Sequence, residues 1–418
     1  MRIRVACIII FSVILGCAEA AMEQQAYVWQ RSWTPRVEKA IEQHAELLGG
    51  LTVLCSEVSF SDGKPRSIQV SPHWDLLKSS GLPISLAIRA GSYSGSFDAE
   101  APMTRVLLGE VSQMLAAARV AGLEPTAVEI DFDCATQRLE GYAEWLRLIR
   151  TRLDDVALSI TTLPTWMSRP EAFGQLVART DHFVLQVHSI QRADSIDSEA
   201  MLCHPTLTKK WTEQAAGFGK PYHVALPTYA YRLAYDESGE LVEVAGENAL
   251  PIQNPAWRYR VIRAEPKEMS SLVREFEKER PEDCLGVIWY RLPIGEERHN
   301  WDALTWRAVM AGRVGGEAWE VKSRLTSEAV VEIELIQNSV IAAEPPRQII
   351  VSLGNGTALA WDGQRNYSVR ADQDHGLIWE WPTNMSPPLL AQGTRWTIGW
   401  LLMEAPASLK IAIVNHAD

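Results

Sequence analysis

The sequence predicts a (β/α)8 barrel followed by a small all-β domain. Three observations lead there. Eight short apolar segments recur between residues 26 and 290, each followed by a helix-forming stretch. No glycine-rich phosphate turn follows an early strand, as an open doubly wound sheet would require; Ala90-Gly91-Ser92-Tyr93-Ser94-Gly95 lacks that spacing. After Gly312 the helical pattern stops and short alternating segments take over.

The eight expected strands are Ala26–Gln30, Leu51–Val58, Ile84–Ala90, Ala127–Asp133, Val156–Thr162, His182–His188, Tyr222–Leu226 and Leu285–Tyr290. Their near-continuous apolar character suits parallel strands covered on the outside by helices. Amphipathic stretches at Pro35–Leu48, Met103–Ala121, Leu139–Leu153 and Lys267–Glu279 supply helices between them. Pro35 fits the first helical position behind Thr34 as N-cap, and Gly122 fits a C-terminal stop. Gly315-Gly316 reads as a link to the second domain. There Val330–Ile336, Gln348–Leu353, Leu377–Trp381, Trp396–Met403 and Leu409–Val414 are strands. Turns are expected at Gly354-Asn355-Gly356, Asp362-Gly363 and Pro387-Pro388. The expected organisation is a leader over residues 1–20, a barrel over 25–313 and a β-sandwich-like domain over 318–418.

The leader has a basic start, Met1-Arg2-Ile3-Arg4, then an apolar run from Val5 to Leu15 that is too short to span a membrane. It predicts export. Ile14-Leu15-Gly16-Cys17 resembles a bacterial lipobox, which would lipidate Cys17 and anchor a periplasmic or outer-membrane-associated lipoprotein. Ala18-Glu19-Ala20 offers the alternative, cleavage to a freely secreted chain. The net charge of −12 and the lack of a basic run argue against nucleic acid as partner. Cys55, Cys134, Cys203 and Cys284 remain beyond the leader, in a compartment that permits disulfides. No CxxC or HExxH spacing occurs, so neither a bound metal nor another cofactor is expected. The 16 tryptophans fit both core packing and stacking on sugar rings; Trp361, Trp379 and Trp381 cluster in the second domain.

The chemistry concentrates in Ala127-Val128-Glu129-Ile130-Asp131-Phe132-Asp133. Side chains two apart on a strand share a face, so Glu129, Asp131 and Asp133 line up roughly 6.6 Å apart. Burying three like charges is costly, which points to a purpose; a solvated edge strand is the plain alternative. In a barrel, reactive groups gather at the C-terminal strand ends. Those ends offer Trp29 and Arg31, then Glu57, Arg89, the three acids, Gln186 and His188, Tyr229, and finally Trp289 and Arg291. Carboxylates and amides suit sugar hydroxyls, and indoles suit the apolar faces of sugar rings. Crowded carboxylates raise at least one pKa, so Asp133, nearest the mouth, is the expected general acid. Asp131 would tune or assist it, and Glu129 would support Asp131 from below. The plain alternatives are that His188 is a hydrogen-bonded core histidine, that Arg89 only neutralises the acids and that Trp289 plugs the barrel.

Glu129-x-Asp131-x-Asp133 resembles the Asp-x-Asp-x-Glu signature of the chitinase-like glycoside hydrolases of family eighteen, and Trp289 resembles the aromatic end of their last strand. Asp133 stands where that family has its catalytic glutamate, and Glu129 where it has the first aspartate. Val187-His188 occupies the region of the family's Tyr-Asp pair. Members that lost the glutamate include sugar-binding lectins. Four further motifs carry a second resemblance. They are Tyr27-Val28-Trp29-Gln30-Arg31-x-Trp33, Glu129 to Cys134, Gln186-Val187-His188-Ser189 and Trp289-Tyr290-Arg291-Leu292-Pro293. They look like the bacterial domain-of-unknown-function family thirty-one forty-two, exported barrel proteins with no assigned activity. The expectation is a glycoside hydrolase-like protein acting on a polysaccharide or oligosaccharide. One alternative is a non-catalytic glycan-binding lipoprotein. The other is a metal-dependent deacetylase or esterase with Asp131, Asp133 and His188 as ligands.

Overall fold

The computed structural model describes residues 22–189, 196, 200–246, 254–295, 300–313, 318–372, 376–383, 385–405 and 407–414. The expected leader, its Cys17 and the Gly315-Gly316 link lie outside them. No described helix is long and apolar enough to cross a membrane.

The first twelve strands are β1 (Glu23–Val28), β2 (Gly50–Ser61), β3 (Lys64–Gln69), β4 (Ile84–Ala90), β5 (Ala127–Phe132), β6 (Ala157–Thr162), β7 (Phe183–Gln186), β8 (Tyr222–Pro227), β9 (Ala230–Tyr235), β10 (Leu241–Ala245), β11 (Arg258–Arg263) and β12 (Cys284–Tyr290). Eight of them run parallel in the order β1-β12-β8-β7-β6-β5-β4-β2, and β1 pairs with β2 to close the ring. β3 folds back antiparallel on β2 as an added ribbon. Between barrel strands lie α1 (Pro35–His44), α2 (Trp74–Ser79), α3 (Pro102–Val120), α4 (Leu139–Arg150), α5 (Pro170–Val177), α6 (Pro205–Ala216) and α7 (Pro266–Lys278); α8 (Ala303–Met310) follows β12. The chain is therefore the expected (β/α)8 barrel. The sequence reading missed β9–β11, an antiparallel sheet inserted between β8 and α7.

Helix starts follow from local chemistry. α1, α3, α5, α6 and α7 each begin with proline, whose fixed φ and missing N–H suit the first turn. Thr34 occupies the N-cap position of α1, but its hydroxyl caps nothing. Asp302 caps α8, accepting from the N–H groups of Leu304 at 2.9 Å and Thr305 at 3.0 Å. Gly122 ends α3 at φ +72°, a left-handed conformation that favours glycine.

Two cores result. Outward residues such as Val128, Ile130 and Phe132 of β5 pack under the helices, with Phe132 against Tyr142 and Trp145. Inward residues form the barrel's own plug, including Tyr27, Trp29, Leu54, Ala87, Val184, Ala225 and Ile288. Five of the 16 tryptophans are structural: Trp145, Trp166, Trp289, Trp306 and Trp379 are fully buried. Cys55, Cys134, Cys203 and Cys284 are buried free thiols rather than disulfide partners.

The C-terminal part holds β13 (Trp319–Leu325), β14 (Val330–Gln337), β15 (Gln348–Ser352), β16 (Ala358–Gly363), β17 (Ser368–Asp372), β18 (Gly376–Glu380), β19 (Arg395–Met403) and β20 (Lys410–Val414). They form two antiparallel sheets, β13-β14-β19-β16 and β17-β18-β15-β20, sharing one core around Ile333, Val351, Trp379 and Leu401. Trp379 and Trp381 are buried there and Trp361 packs half-buried against that core, so these tryptophans serve packing. Asp362-Gly363 is not the expected turn: it ends β16 paired to β19, and the chain reverses after it, where Arg365 and Asn366 have positive φ. The sandwich docks on the barrel through an Ala342 N–H bond to the Thr305 hydroxyl at 2.9 Å and an Arg263–Glu344 ion pair at 3.2 Å.

Candidate active site at the barrel mouth

β5 delivers the carboxylates. Glu129 and Asp131 point into the barrel, and Asp133 continues the same parity past the strand end. Glu129, only 2 % exposed, lies deepest. The Tyr27 hydroxyl donates to its Oε1 at 2.7 Å, and Ser159 Oγ lies 3.4 Å from Oε2. Burial pushes its pKa to about 8, against the opposing hydrogen bond from Tyr27, so it is protonated at neutral pH. Asp131 comes next. Thr161 donates to it at 2.7 Å, and Arg89 Nε stands 3.9 Å away. Burial, then the neighbouring charge of Asp133, raises it to about 6. Asp133 reaches solvent at the rim, yet the surrounding walls still raise its pKa, opposed by Arg89.

An aromatic wall faces these acids. Tyr27, Trp29 and Tyr290 meet edge to face with ring centres 5.2 to 5.7 Å apart. His188 stacks on Tyr290 at 5.2 Å, and its Nδ1 lies 3.1 Å from the Tyr229 hydroxyl. Burial lowers the His188 pKa to about 3, so the ring is neutral. With Arg89, Gln186, Ala225 and Tyr231, these groups enclose a cup of about 120 Å³. A larger cleft of about 710 Å³ runs between β9–β11 and the sandwich and touches the cup at Tyr229, but the three acids lie only in and beneath the cup.

Residues 96–295 match the model of a family described as a domain of unknown function, DUF3142. No curated protein matches the chain. Solved structures similar to it include the spore cortex-lytic enzyme SleL of Bacillus megaterium QM B1551, 16 % identical with a TM-score of 0.44, over 65 % of this chain and 70 % of that one. SleL of Bacillus cereus is 14 % identical with a TM-score of 0.46, over 70 % of this chain and 74 % of that one. A chitinase from Chromobacterium violaceum ATCC 12472 is 12 % identical with a TM-score of 0.47, over 70 % of this chain and 99 % of that one.

The cup gathers Arg89 from just before the matched segment with Asp131, Asp133, Gln186, His188 and Tyr229 inside it; Trp29 joins from just past β1. Glu129 lies beneath them. Arg31 and Glu57 form a separate pair, with Arg31 Nε and Nη2 on the carboxylate at 3.0 and 2.5 Å. Glu57 shares the face of Arg89 because a bulge at Cys55 adds one residue to β2: Leu54 pairs with Ala87, but Ser56 pairs with Ile88 and Glu57 with Arg89.

Two expected site residues lie elsewhere. Trp289 has the opposite parity on β12; it is 0 % exposed and packs beneath the helices, its indole N–H donating to Gln24 at 3.1 Å. Tyr290 takes the place in the cup assigned to it. Arg291 is buried off the cup, with its backbone N–H and carbonyl both bonded to the Thr228 hydroxyl. Tyr27, Thr161, Tyr231 and Tyr290 were missed. Parity alone would have found Tyr27, two before Trp29, whereas Tyr231 belongs to the unexpected insertion. Asp131, Asp133 and His188 do not form a metal centre: among the described residues no three carboxylate, imidazole or thiol groups are placed to hold an ion.

Proposed function

We propose that this protein is a glycoside hydrolase acting on an extracellular or periplasmic polysaccharide. The observation that carries the reading is the graded stack of three inward carboxylates facing an aromatic wall at the C-terminal mouth of the barrel. Sugar rings pack their apolar faces on Trp29 and Tyr290. Asp133, the acid at the rim with a raised pKa, gives its proton to the glycosidic oxygen as the bond to the anomeric carbon breaks. Water then supplies hydroxide to that carbon, and its other proton restores Asp133. Asp131 is mostly ionised at pH 7, with a pKa of about 6. It assists by one of two routes, orienting an N-acetyl group of the substrate for internal attack or activating the water. Glu129, held neutral below, keeps a third negative charge out of the stack.

The basic start and apolar run of residues 1–20 support export, with Cys17 as the lipid attachment point or Ala20 as the cleavage site. The test is reducing-end release from a polysaccharide panel rich in N-acetylglucosamine polymers, by the exported chain and by Asp133→Asn. Release by the parent and none by the variant is the expected result. No release by the parent, or full release by the variant, overturns the assignment.

A second reading has its own observation. Asp133 is one methylene shorter than the glutamate of the family it resembles, and its side chain is exposed at the rim. In a glycan-binding protein without turnover the acids would accept hydrogen bonds from sugar hydroxyls. Binding by both parent and variant with no release by either is its signature.

A further inference from the structure

Two residues of the cup wall each carry a buried polar atom with no hydrogen-bond partner among the described residues: the indole Nε1 of Trp29 and the Nε2 of His188. The two residues are 6 % and 3 % exposed. Leaving such a group unsatisfied is costly in a folded protein, so each needs an explanation. Neither is a stray of poor packing. Both rings are fixed against Tyr290, Trp29 edge-on at 5.7 Å and His188 stacked at 5.2 Å. The far nitrogen of His188 is engaged by Tyr229, which sets the ring's orientation and leaves Nε2 for something else.

We propose that these two nitrogens seat one uncharged sugar unit, and that they, with the acids opposite, select it over charged sugars. The inference rests on the reading of the cup as a sugar site. An indole N–H only donates, so its partner must accept. An ammonium group has no acceptor and cannot satisfy it. A carboxylate can, but in this cup it would lie opposite Asp131 and Asp133 with Arg89 as the one cation among the described lining residues. A hydroxyl or acetamide group both donates and accepts. It satisfies Trp29 and also His188, whichever nitrogen of that neutral imidazole carries the proton. Burial strengthens the effect, because a mismatched polar contact inside the cup has no water to repair it.

The test measures binding by calorimetry, using Asp133→Asn so that turnover does not interfere. The probes are the trimers of N-acetylglucosamine, of glucose in β-1,4 linkage, of glucosamine and of a uronic acid. At least one neutral trimer is expected to bind more tightly than both charged ones. Adding Trp29→Phe or His188→Phe, each of which keeps a ring against Tyr290, should weaken the neutral trimer about three- to tenfold. Each should also lower its advantage over the charged trimers. A substitution that merely loosens the fold would weaken all ligands alike, and thermal unfolding of each variant checks that the fold is kept. Tighter binding of a charged trimer, no binding of either neutral one, or an unchanged preference in both variants overturns the proposal. Its fate is separable from that of the hydrolase assignment. Selective binding with no reducing-end release by the parent sinks only the enzyme. Release by the parent, with KM unchanged in both ring variants, sinks only the seat.

Discussion

Glu129→Gln should make the barrel more stable above neutral pH, although it replaces a buried acid hydrogen-bonded to Tyr27. The ordinary pKa of this side chain is 4.5, and burial raises it to about 8 in the fold. Between those values the folded chain binds one proton more than the unfolded chain. Stability from this site is therefore complete below pH 4.5 and is lost as the pH climbs through 8. At pH 7 the loss spans about 2.5 pH units at about 1.4 kcal/mol each, or about 3–4 kcal/mol. Glutamine has the same shape and does not ionise. Its oxygen can accept from Tyr27, and its amide can donate to Ser159, so the hydrogen bonds survive. Asp131, raised to about 6, gives both proteins the same lower-pH decline. Thermal unfolding at pH 5, 6, 7 and 8, followed by tryptophan fluorescence, compares them; Trp145 and Trp166 are fully buried reporters within the barrel. The variant's curve should separate upward from the parent's above pH 5. Curves that stay parallel from pH 5 to 8 would show that Glu129 titrates at its ordinary value in the fold, and the picture of a neutral floor would fall.

Tyr27→Phe removes the donor that opposes the upward shift of Glu129. It should cost about 1–3 kcal/mol, and more at pH 8 than at pH 6, in the same unfolding assay. Thr161→Val deletes the 2.7 Å hydrogen bond that holds the Asp131 pKa down. If Asp131 acts ionised, the acid limb of the pH–rate profile should move up by about one pH unit; an unmoved limb would remove Asp131 from the reaction. Trp289→Phe and Tyr290→Leu should separate core from cup. The first should cost about 1–3 kcal/mol of stability with oligosaccharide affinity unchanged, because its indole lies outside the barrel lumen. The second should lower affinity at least tenfold by calorimetry.

The amino-acid sequence alone carries the repeating strand–helix order, and with it the barrel. Each strand's apolar run, the proline that starts five of the helices and the glycine that stops α3 are local signals, readable one segment at a time. It also determined that Glu129, Asp131 and Asp133 share a face, because the two-residue period of a strand needs no partner to operate. Which face of a strand looks inward is a different matter. On β5 three charges settle it, but on β12 both Trp289 and Tyr290 are large aromatics, and only the register with β1 and β8 places Tyr290 in the cup. The bulge at Cys55 is invisible for the same reason: an extra residue exists only relative to the strand beside it. β9–β11 lack the apolar run of a parallel core strand, having several exposed or half-buried positions, so Tyr231 went unseen. Tertiary structure also fixed the pKa order of the acids. Identical carboxyl chemistry at two-residue spacing becomes a gradient only because burial deepens from the rim to the floor, and desolvation is a property of what surrounds a group rather than of the group itself.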